Sequence, residues 1–310
     1  MIIHFDNVNL SSRSGPNSFA KRLQKKLFQM GHSVTNSAVG ADVSLVFIEP
    51  SGAKLAKKIV QRLDGIWFAP HEFETNNVKI KWLYERADHV ILQSNFDTSM
   101  TTRWWGLPKK HSVIKNGIDN ELSTDIKLQE NLDALRKRHE KIFVASANWH
   151  PQKRLQENVK LFTRLKKEFY PTACLVVMGS NAKAVGEDIY QTGNLEHDHC
   201  MQILRHSDWM LHLAWLDHCP NTVIEALSCK VPVICTEDGG TKELIQGYGL
   251  ILNERVKYDF QLTNYDEPPD MKIENMQLNP LPTRSSLGPI PDVSIETAAK
   301  KYCEVFESVL

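Results

Sequence analysis

The stretch WLDHCPNTVIEALSCKVPVICTEDGGTKEL, residues 215–244, contains the succession of elements that predicts the fold of this 310-residue chain. Its apolar positions predict a helix over TVIEALSC, residues 222–229, and a buried strand over VPVICT, residues 231–236. A pair of glycines then leads into another short helix. Strands that alternate with helices in this way indicate an α/β fold, with a mainly parallel sheet covered on both faces.

The same alternation extends from this stretch in both directions. It predicts strands at MIIHFDNV and ADVSLVFIE, an amphipathic helix after a glycine-containing turn at SSRSGPNSFAKRL, a helix at GAKLAKKIVQRL (residues 52–63) and a strand at GIWFAP (residues 65–70). A polar stretch covers residues 120–141, and the pattern restarts at IFVASA. Two such units in series predict two doubly wound, Rossmann-like domains that face a cleft.

We place the first domain at residues 1–120 and the second at residues 121–292, with a last helix over residues 293–310. Residues 254–292 are rich in proline and polar residues and show no clear period. Such a composition predicts an extended or mobile segment.

The overall composition bounds the class of protein. The chain has 37 Lys and Arg against 37 Asp and Glu, so its bulk charge points neither to nucleic acid nor to an anionic membrane. Its six cysteines form no CxxC pair and predict reduced thiols of a cytosolic protein. No run approaches about 18 apolar residues, and the first residues do not resemble a standard signal peptide. We therefore expect a cytoplasmic protein without a transmembrane segment.

Two junctions between a strand and a helix in the second domain carry chemistry that suits an anion. Lys153 and Arg154 follow the strand IFVASA, at the edge of the sheet where open α/β folds bind ligands. Asn221 is a good N-cap for the helix that follows, and the free amides of such a helix start bind phosphate oxygens. Glu225, one turn further on, and Asp217, in the preceding loop, are placed to accept hydrogen bonds from ligand hydroxyls. The alternatives are a solvated basic loop, a plain cap and a glutamate that balances the helix dipole.

Glycine and histidine mark three further candidate positions. Gly239 and Gly240 follow a strand, and Gly15 lies at the first junction between a strand and a helix, where the lack of a side chain permits close approach to a ligand. His71 lies just beyond the predicted strand GIWFAP. A plain turn and a structural histidine are the alternatives. No GxGxxG, Walker A, HExxH or GxSxG motif is present, and the histidines lack the spacing of metal ligands, so we predict neither a cofactor nor a metal.

Together these motifs resemble glycosyltransferase family 4, the retaining, nucleotide-sugar-dependent enzymes with the GT-B fold. The most specific feature is the acidic-x7-Glu element of Asp217 and Glu225, followed by a Pro-Val strand and a Gly-Gly loop. The first residues, IHFDNVNLSSRSGPN, are similar to bacteriophage members. The resemblance covers most of the chain through SGPNSFAKRL, ADHVILQSNF, VIKNGID, NWHPQKRL, GNLEHDHCMQIL and the stretch quoted first.

The resemblance implies a role for each matching residue of the second domain. Glu225 would bind the ribose hydroxyls, and Asp217 would contact the transferred sugar. Asn221 and Thr222 would offer backbone amides to the diphosphate, and Lys153 matches the family's phosphate-binding lysine.

The remaining positions include one departure from the family pattern. Asn148 stands where the family usually has an arginine, so Arg154 is hypothesised to supply the missing charge. His71 would approach the donor sugar, and Gly15 would let the first loop come near the diphosphate. The predicted catalytic residues are thus Lys153, Arg154, His71 and Asp217, and the predicted donor-binding residues are Gly15, Asn148, Asn221, Thr222, Glu225, Gly239 and Gly240.

The resemblance implies metal-independent transfer of a hexose or pentose from a nucleoside diphosphate sugar, with UDP the commonest carrier in the family, to an acceptor hydroxyl. The first domain would form the acceptor side, the second would bind the nucleotide sugar, and the last helix would cross back to the first. The acceptor is left open among a glycan, a lipid-linked sugar, a protein and a hydroxymethylated DNA base. A sugar-nucleotide epimerase and a non-catalytic nucleotide-sugar-binding module are the alternatives from other classes.

Overall fold

The computed structural model describes residues 1–12, 14–119 and 124–310. Its strands form two six-stranded sheets in which all the described neighbouring strands are parallel. The first sheet has the order β2-β1-β3-β4-β5-β6 and consists of β1 (Ile2–Asp6), β2 (Ser33–Thr35), β3 (Val43–Phe47), β4 (Ile59–Leu63), β5 (His89–Leu92) and β6 (His111–Val113). The second has the order β12-β11-β10-β7-β8-β9 and consists of β7 (Ile142–Ser146), β8 (Cys174–Met178), β9 (Ile189–Gly193), β10 (Trp209–His212), β11 (Val233–Thr236) and β12 (Gly249–Leu252).

Helices cover both sheets, as the alternating pattern predicts. They are α1 (Gly15–Gln29), α2 (Phe73–Asn76), α3 (Val78–Tyr84), α4 (Asn95–Trp105), α5 (Ile126–Arg138), α6 (Leu155–Phe169), α7 (His197–His206), α8 (Asn221–Ser228), α9 (Thr241–Ile245) and α10 (Ile295–Val309). Within the described ranges, no helix is both long and apolar enough to cross a membrane.

The order of strands locates the ligand-binding edge of each sheet. In the second sheet the direction of winding reverses between β7 and β10, and in the first sheet it reverses between β1 and β3. Open parallel sheets bind ligands beyond the carboxyl ends of the strands at such a switch point. The loops after β1, β7 and β10 are therefore the places to look for a site.

The last helix packs on the first sheet, as predicted. Ser294 caps α10 by accepting a hydrogen bond from Thr297 N (3.2 Å). Tyr302 of this helix is fully buried, and its ring lies 5.8 Å from that of Phe19 in α1. The chain thus returns from the second half to complete the core of the first. The predicted domain boundary near residue 120 lies between the two sheets and stays a prediction.

Two predicted elements of the first half are wrong. Residues 52–63 are not a helix but end in β4, and residues 65–70 are not a strand. β4 lies between β3 and β5, and four of its five residues are buried, including Gln61 and Arg62. A strand buried on both faces shows no alternation, and with two lysines before it the segment resembles an amphipathic helix. The polar stretch before β7 contains a helix that its sequence pattern does not predict, α5.

The proline-rich segment packs against both halves although it is almost without regular structure. Met271 and Ile273 are buried against the second half, and Arg164 of α6 donates to the carbonyl oxygen of Ile273 (2.6 Å). The ring of Tyr265 lies 3.7 Å from that of Phe68 in the first half. The apolar residues of this segment therefore link the two halves.

Candidate active site in the cleft

A cleft of about 1600 Å³ lies between the two halves and is lined by residues of both. The loops after β7 and β10 and the first turns of α8 form one wall, and α1 and the ends of β4 and β6 contribute the other. The cleft therefore opens at the switch point of the second sheet. Seven of the predicted site residues line it: Gly15, Asn148, Lys153, Asp217, Asn221, Thr222 and Glu225.

Lys153 and Asp217 form an ion pair at the carboxyl edge of the second sheet. Lys153 lies in the short 3-10 turn Pro151–Lys153 after β7, and Asp217 lies in the loop after β10. Nε2 of His212 is 3.4 Å from Oδ2 of the same carboxylate. Burial by itself would raise the pKa of Asp217, but Lys153 and then His212 outweigh it and hold that pKa well below its ordinary value. Asp217 is therefore a stable carboxylate in the cleft.

The first turn of α8 presents its amides to the cleft. Pro220 occupies the N-cap position, so the expectation that Asn221 caps this helix is wrong. The amides of Val223 and Ile224 both donate to Pro220 O, at 3.1 and 3.2 Å. The preceding amides, those of Asn221 and Thr222, lie before the first intrahelical donors, where a helix has no internal partner for them and carries a partial positive charge.

The side chain of Asn221 joins the two halves instead of capping α8. Its Oδ1 accepts from Nδ2 of Asn116 (3.1 Å), and its Nδ2 donates to the carbonyl oxygen of Gly15 (3.1 Å). Gly15 is the first residue of α1, and Asn116 follows β6. These bonds hold the first loop of the chain beside the start of α8.

Glu225 lies one turn into α8, where it is largely buried. Its Oε1 is 3.8 Å from Nη1 of Arg22 and 3.7 Å from Nδ1 of His197. Burial raises the pKa of Glu225 to about 7, although the charge of Arg22 opposes this shift. This carboxyl group titrates near neutral pH and faces the same cleft as Lys153.

Asn148 lines the cleft, but its side-chain amide is engaged within its own wall. Oδ1 accepts from Oγ of Ser180 (2.5 Å) and from Nδ2 of Asn181 (3.3 Å), and Nδ2 lies 3.0 Å from Nε2 of His150. Asn148 brings no charge to the cleft.

Arg154 does not face the cleft, so the hypothesis that it replaces a missing arginine is wrong for this structure. The guanidinium is almost fully buried and donates two hydrogen bonds to Glu254, at 2.6 and 3.2 Å. It also donates to Pro269 O (2.8 Å). Its left-handed backbone (φ 51°) precedes α6, and its charge is neutralised inside the second half.

His71 and the glycine pair also lie elsewhere than expected. His71 is exposed and does not line the cleft; because β4 ends at Leu63, Asp64 rather than His71 occupies the end of the strand. Gly239 and Gly240 pack behind the loop after β10, and Gly240 N donates to Asp217 O (2.7 Å). The two glycines pack closely against this loop, and neither lines the open cleft.

The cleft residues that the sequence analysis did not single out include Arg22, Arg62 and His218. Nδ1 of His218 is 3.4 Å from Oδ1 of Asp97 in the other half, and its Nε2 is 3.3 Å from the hydroxyl of Tyr265. Burial by itself would lower the pKa of His218, but Asp97 raises it above its ordinary value. His218 follows Asp217 directly, a position that could have drawn attention to it.

Among the described residues, no group of three or more His, Cys, Asp or Glu could hold a metal ion. Among the described lining residues of the second half, the one Lys or Arg is Lys153. In the part of the chain that the structure describes, this wall offers a lysine, two helix-start amides, three histidines and the carboxyl groups of Glu196, Asp217 and Glu225.

Comparison with known proteins agrees with this geometry. Residues 129–254 match the family model described as glycosyl transferases group 1. An uncharacterized glycosyltransferase of Methanocaldococcus jannaschii is 26% identical over 185 residues, a match that spans 53% of this chain and 44% of that relative.

Solved structures of the same fold cover nearly the whole chain. HepE of Anabaena, in complex with UDP-glucose, superposes with a TM-score of 0.66 at 14% identity and covers 99% of this chain and 100% of its own. Sucrose-phosphate synthase from Thermosynechococcus elongatus superposes with a TM-score of 0.71 at 13% identity, over 99% and 98% of the two chains. These likenesses confirm the predicted two-domain α/β fold of the GT-B type.

Proposed function

We propose that this protein is a retaining glycosyltransferase that moves a sugar from a nucleoside diphosphate sugar, a UDP-sugar, to an acceptor hydroxyl without a metal. The observation that carries the proposal is the convergence of Lys153, the first amides of α8 and Glu225 on one cleft between two Rossmann-like halves. The complex of HepE with UDP-glucose supports UDP as the carrier. The glycosyl transferases group 1 domain over residues 129–254 contains all three elements.

In this proposal the diphosphate binds at the start of α8. The amides of Asn221 and Thr222 donate to phosphate oxygens. Lys153, whose ammonium group has three donors, contacts the phosphate next to the sugar and stays paired with Asp217. Charge that develops on the departing diphosphate is stabilised by these preorganised groups. Removal of one such group raises the barrier by about 3 kcal/mol.

Glu225 binds the ribose in this proposal. A carboxylate accepts hydrogen bonds from both ribose hydroxyls, whereas a protonated carboxyl group loses part of that capacity. Because the pKa of Glu225 is raised to about 7, we expect affinity for UDP to increase as the pH rises from 6 to 8. Donation by the ribose hydroxyls itself favours the carboxylate form.

Retention by attack from the same face fits the state of Asp217. A double displacement requires a free carboxylate as nucleophile, but Asp217 is bound to Lys153 and close to His212. Such pairing lowers the pKa of Asp217 and its nucleophilicity. Asp217 instead contacts the hydroxyls of the transferred sugar, and the acceptor attacks from the face that the diphosphate leaves.

Thermal shift with UDP-glucose, GDP-glucose and ADP-glucose tests the donor, since a ligand that binds only the folded state raises the melting temperature. We expect the largest shift with the UDP-sugar, and weaker binding in Lys153→Ala and Glu225→Ala. Lys160→Ala, on the exposed face of α6, is the matched control and should behave as the parent. Equal donor affinity in all the variants would place the site elsewhere.

The product separates this activity from its alternatives. UDP released together with a glycosylated acceptor indicates transfer, a new nucleotide sugar without acceptor indicates an epimerase, and donor binding without turnover indicates a binding module. NMR of the anomeric proton distinguishes retention from inversion, and activity in EDTA tests independence from metal. The acceptor stays open; DNA with hydroxymethylated bases, assayed at several salt concentrations, belongs in the screen with glycans, lipid-linked sugars and proteins.

A further inference from the structure

Two arginines of the first half line the cleft, and one is largely and the other fully buried. Arg22 lies in α1 and Arg62 at the end of β4, and their side chains are 16% and 1% exposed. A buried guanidinium keeps its charge, so it requires hydrogen-bond acceptors. Neither residue belongs to the strand-to-helix junctions of the second half from which the donor site is built.

Both guanidinium groups contain buried nitrogen atoms without a hydrogen-bond partner among the described residues. These atoms are Nε and Nη2 of Arg22 and Nε and Nη1 of Arg62. The nearest carboxylates make ion pairs without a hydrogen bond: Glu225 is 3.8 Å from Arg22, and Asp64 is 3.5 Å from Arg62. Unsatisfied buried donors are rare and costly, so four in one wall of a cleft indicate an acceptor that the described residues do not provide.

Arg62 is held rigidly in place. Its guanidinium lies over the ring of Phe19 (4.8 Å) and over that of Phe47 (5.3 Å). Its Nη2 donates to Oδ1 of Asn116 (2.9 Å), and Asn116 in turn donates to Asn221, the first residue of α8. The chain of hydrogen bonds from Arg62 therefore ends at the proposed diphosphate site. Side chains with fixed orientation bind an anion with little loss of entropy.

The charges of the cleft agree with this reading. Arg154 is neutralised by Glu254, and Asn148 carries no charge, which leaves Lys153 alone to meet the charges of a diphosphate from the second half. On the other wall, burial lowers the pKa of Arg22; the charge of Glu225 opposes this shift, and the nearby charge of Arg62 adds to it. A bound anion would offset the repulsion between these two guanidinium groups.

We propose that Arg22 and Arg62 form a phosphate-binding subsite on the first-half wall of the cleft, which contacts the diphosphate of the donor and supplies the charge that Arg154 does not. This inference rests on the proposed function, because it assigns a second set of ligands to the same diphosphate. It makes donor binding depend on both halves, so the diphosphate draws the walls of the cleft together.

Calorimetric titration of the full chain with UDP, inorganic pyrophosphate and uridine tests the subsite. Arg22→Gln should weaken the affinity for UDP and for pyrophosphate by about tenfold, the usual effect of losing a charged hydrogen bond. Its affinity for uridine should stay within about twofold of the parent. Arg62→Lys keeps the charge but loses the planar fork, and should act in the same direction. Arg86→Gln, at an exposed arginine paired with Glu85, is the control and should bind UDP and pyrophosphate as the parent does.

The arms of this experiment separate two failures. If Lys153→Ala weakens UDP while both arginine variants bind pyrophosphate as the parent does, the subsite is wrong and the proposed function stands. If Arg22→Gln weakens the affinity for uridine as much as that for UDP, Arg22 acts on the ribose through Glu225, and the proposed subsite is wrong. If the parent binds neither UDP nor pyrophosphate, both proposals are overturned. Circular dichroism checks the folding of Arg62→Lys, and Arg22→Gln decides the question if that variant is unfolded.

Discussion

The side-chain amide of Asn221 donates a 3.1 Å hydrogen bond to the carbonyl oxygen of Gly15, and so joins the first residue of α8 to the first residue of α1 across the cleft. The two residues are 206 positions apart in the chain. Asn116 donates to Oδ1 of the same side chain, so Asn221 is hydrogen-bonded to two elements of the first half. The start of α8 is therefore positioned by the first half, although the helix belongs to the second.

Asn221→Ala removes both of these hydrogen bonds. We expect a loss of about 1 kcal/mol in the free energy of unfolding and an affinity for UDP about tenfold weaker, since the start of α8 is no longer held against the first loop. Urea denaturation and calorimetry measure the two effects. Asn131→Ala, on the exposed side of α5, is the matched control. Unchanged affinity in Asn221→Ala would mean that the contact with Gly15 does not position the donor site.

Glu225→Gln tests the raised pKa of this carboxyl. A folded-state pKa of about 7, above the unfolded value of 4.5, means that the folded state binds the proton more tightly, so stability falls as the pH rises from 4.5 to 7. Glu225→Gln lacks this loss, and we expect it to gain on the order of 3 kcal/mol relative to the parent between pH 4.5 and pH 8. Urea denaturation at several pH values measures the difference. Glu130→Gln, at an exposed position, is the control, and its stability should depend on pH as that of the parent does. If the stability of Glu225→Gln also runs parallel to that of the parent, the pKa of Glu225 is ordinary.

Arg154→Met tests the correction to the predicted site. The substitution leaves the carboxylate of Glu254 buried without its partner, and we expect a loss of about 3 to 5 kcal/mol in the free energy of unfolding. The double variant Arg154→Met with Glu254→Leu should recover much of this loss. At a temperature where the double variant is folded, its affinity for UDP should stay within about twofold of the parent. If the double variant is stable but no longer binds UDP, Arg154 does belong to the donor site.

Gly240→Ala tests the contact behind the loop after β10. Gly240 has an ordinary φ of −83°, so the added methyl group brings no backbone strain, but it would lie 2.7 Å from Oγ of Ser94 and would overlap the backbone of His218. We expect a loss of about 3 kcal/mol in stability and weaker binding of UDP-glucose, because this loop carries Asp217. Gly193→Ala, with open space around its Cβ and a φ of +66°, is the comparison and should lose about 1 kcal/mol. Equal losses in both variants would show that the loop yields without cost.

Local signals predicted much of the second half. A loop after a strand and an amphipathic helix start were enough to place Lys153 and Glu225 in one cleft, because parallel strands end at the same edge of a sheet. Where the signal was weaker, the prediction failed. The pattern of residues 52–63 predicts a helix because β4 is buried on both faces. The predicted place of His71 is wrong because it depends on a strand at residues 65–70 that the structure does not contain.

The partners of buried charges could not be predicted. Arg154 pairs with Glu254, 100 residues later, and Arg62 bonds to Asn116, 54 residues later. No periodicity connects such positions, since each pair is brought together by the packing of separate strands and loops.

The sequence by itself determined the α/β class, the two-sheet layout and the lysine and glutamate of one wall, because hydrophobic period and strand ends are local properties of the chain. The tertiary structure decided which cations face the cleft, which helix start is joined to which loop, and which glycines support a loop instead of a ligand. These depend on contacts between residues far apart in the chain, which form only when both sheets and the last helix have packed.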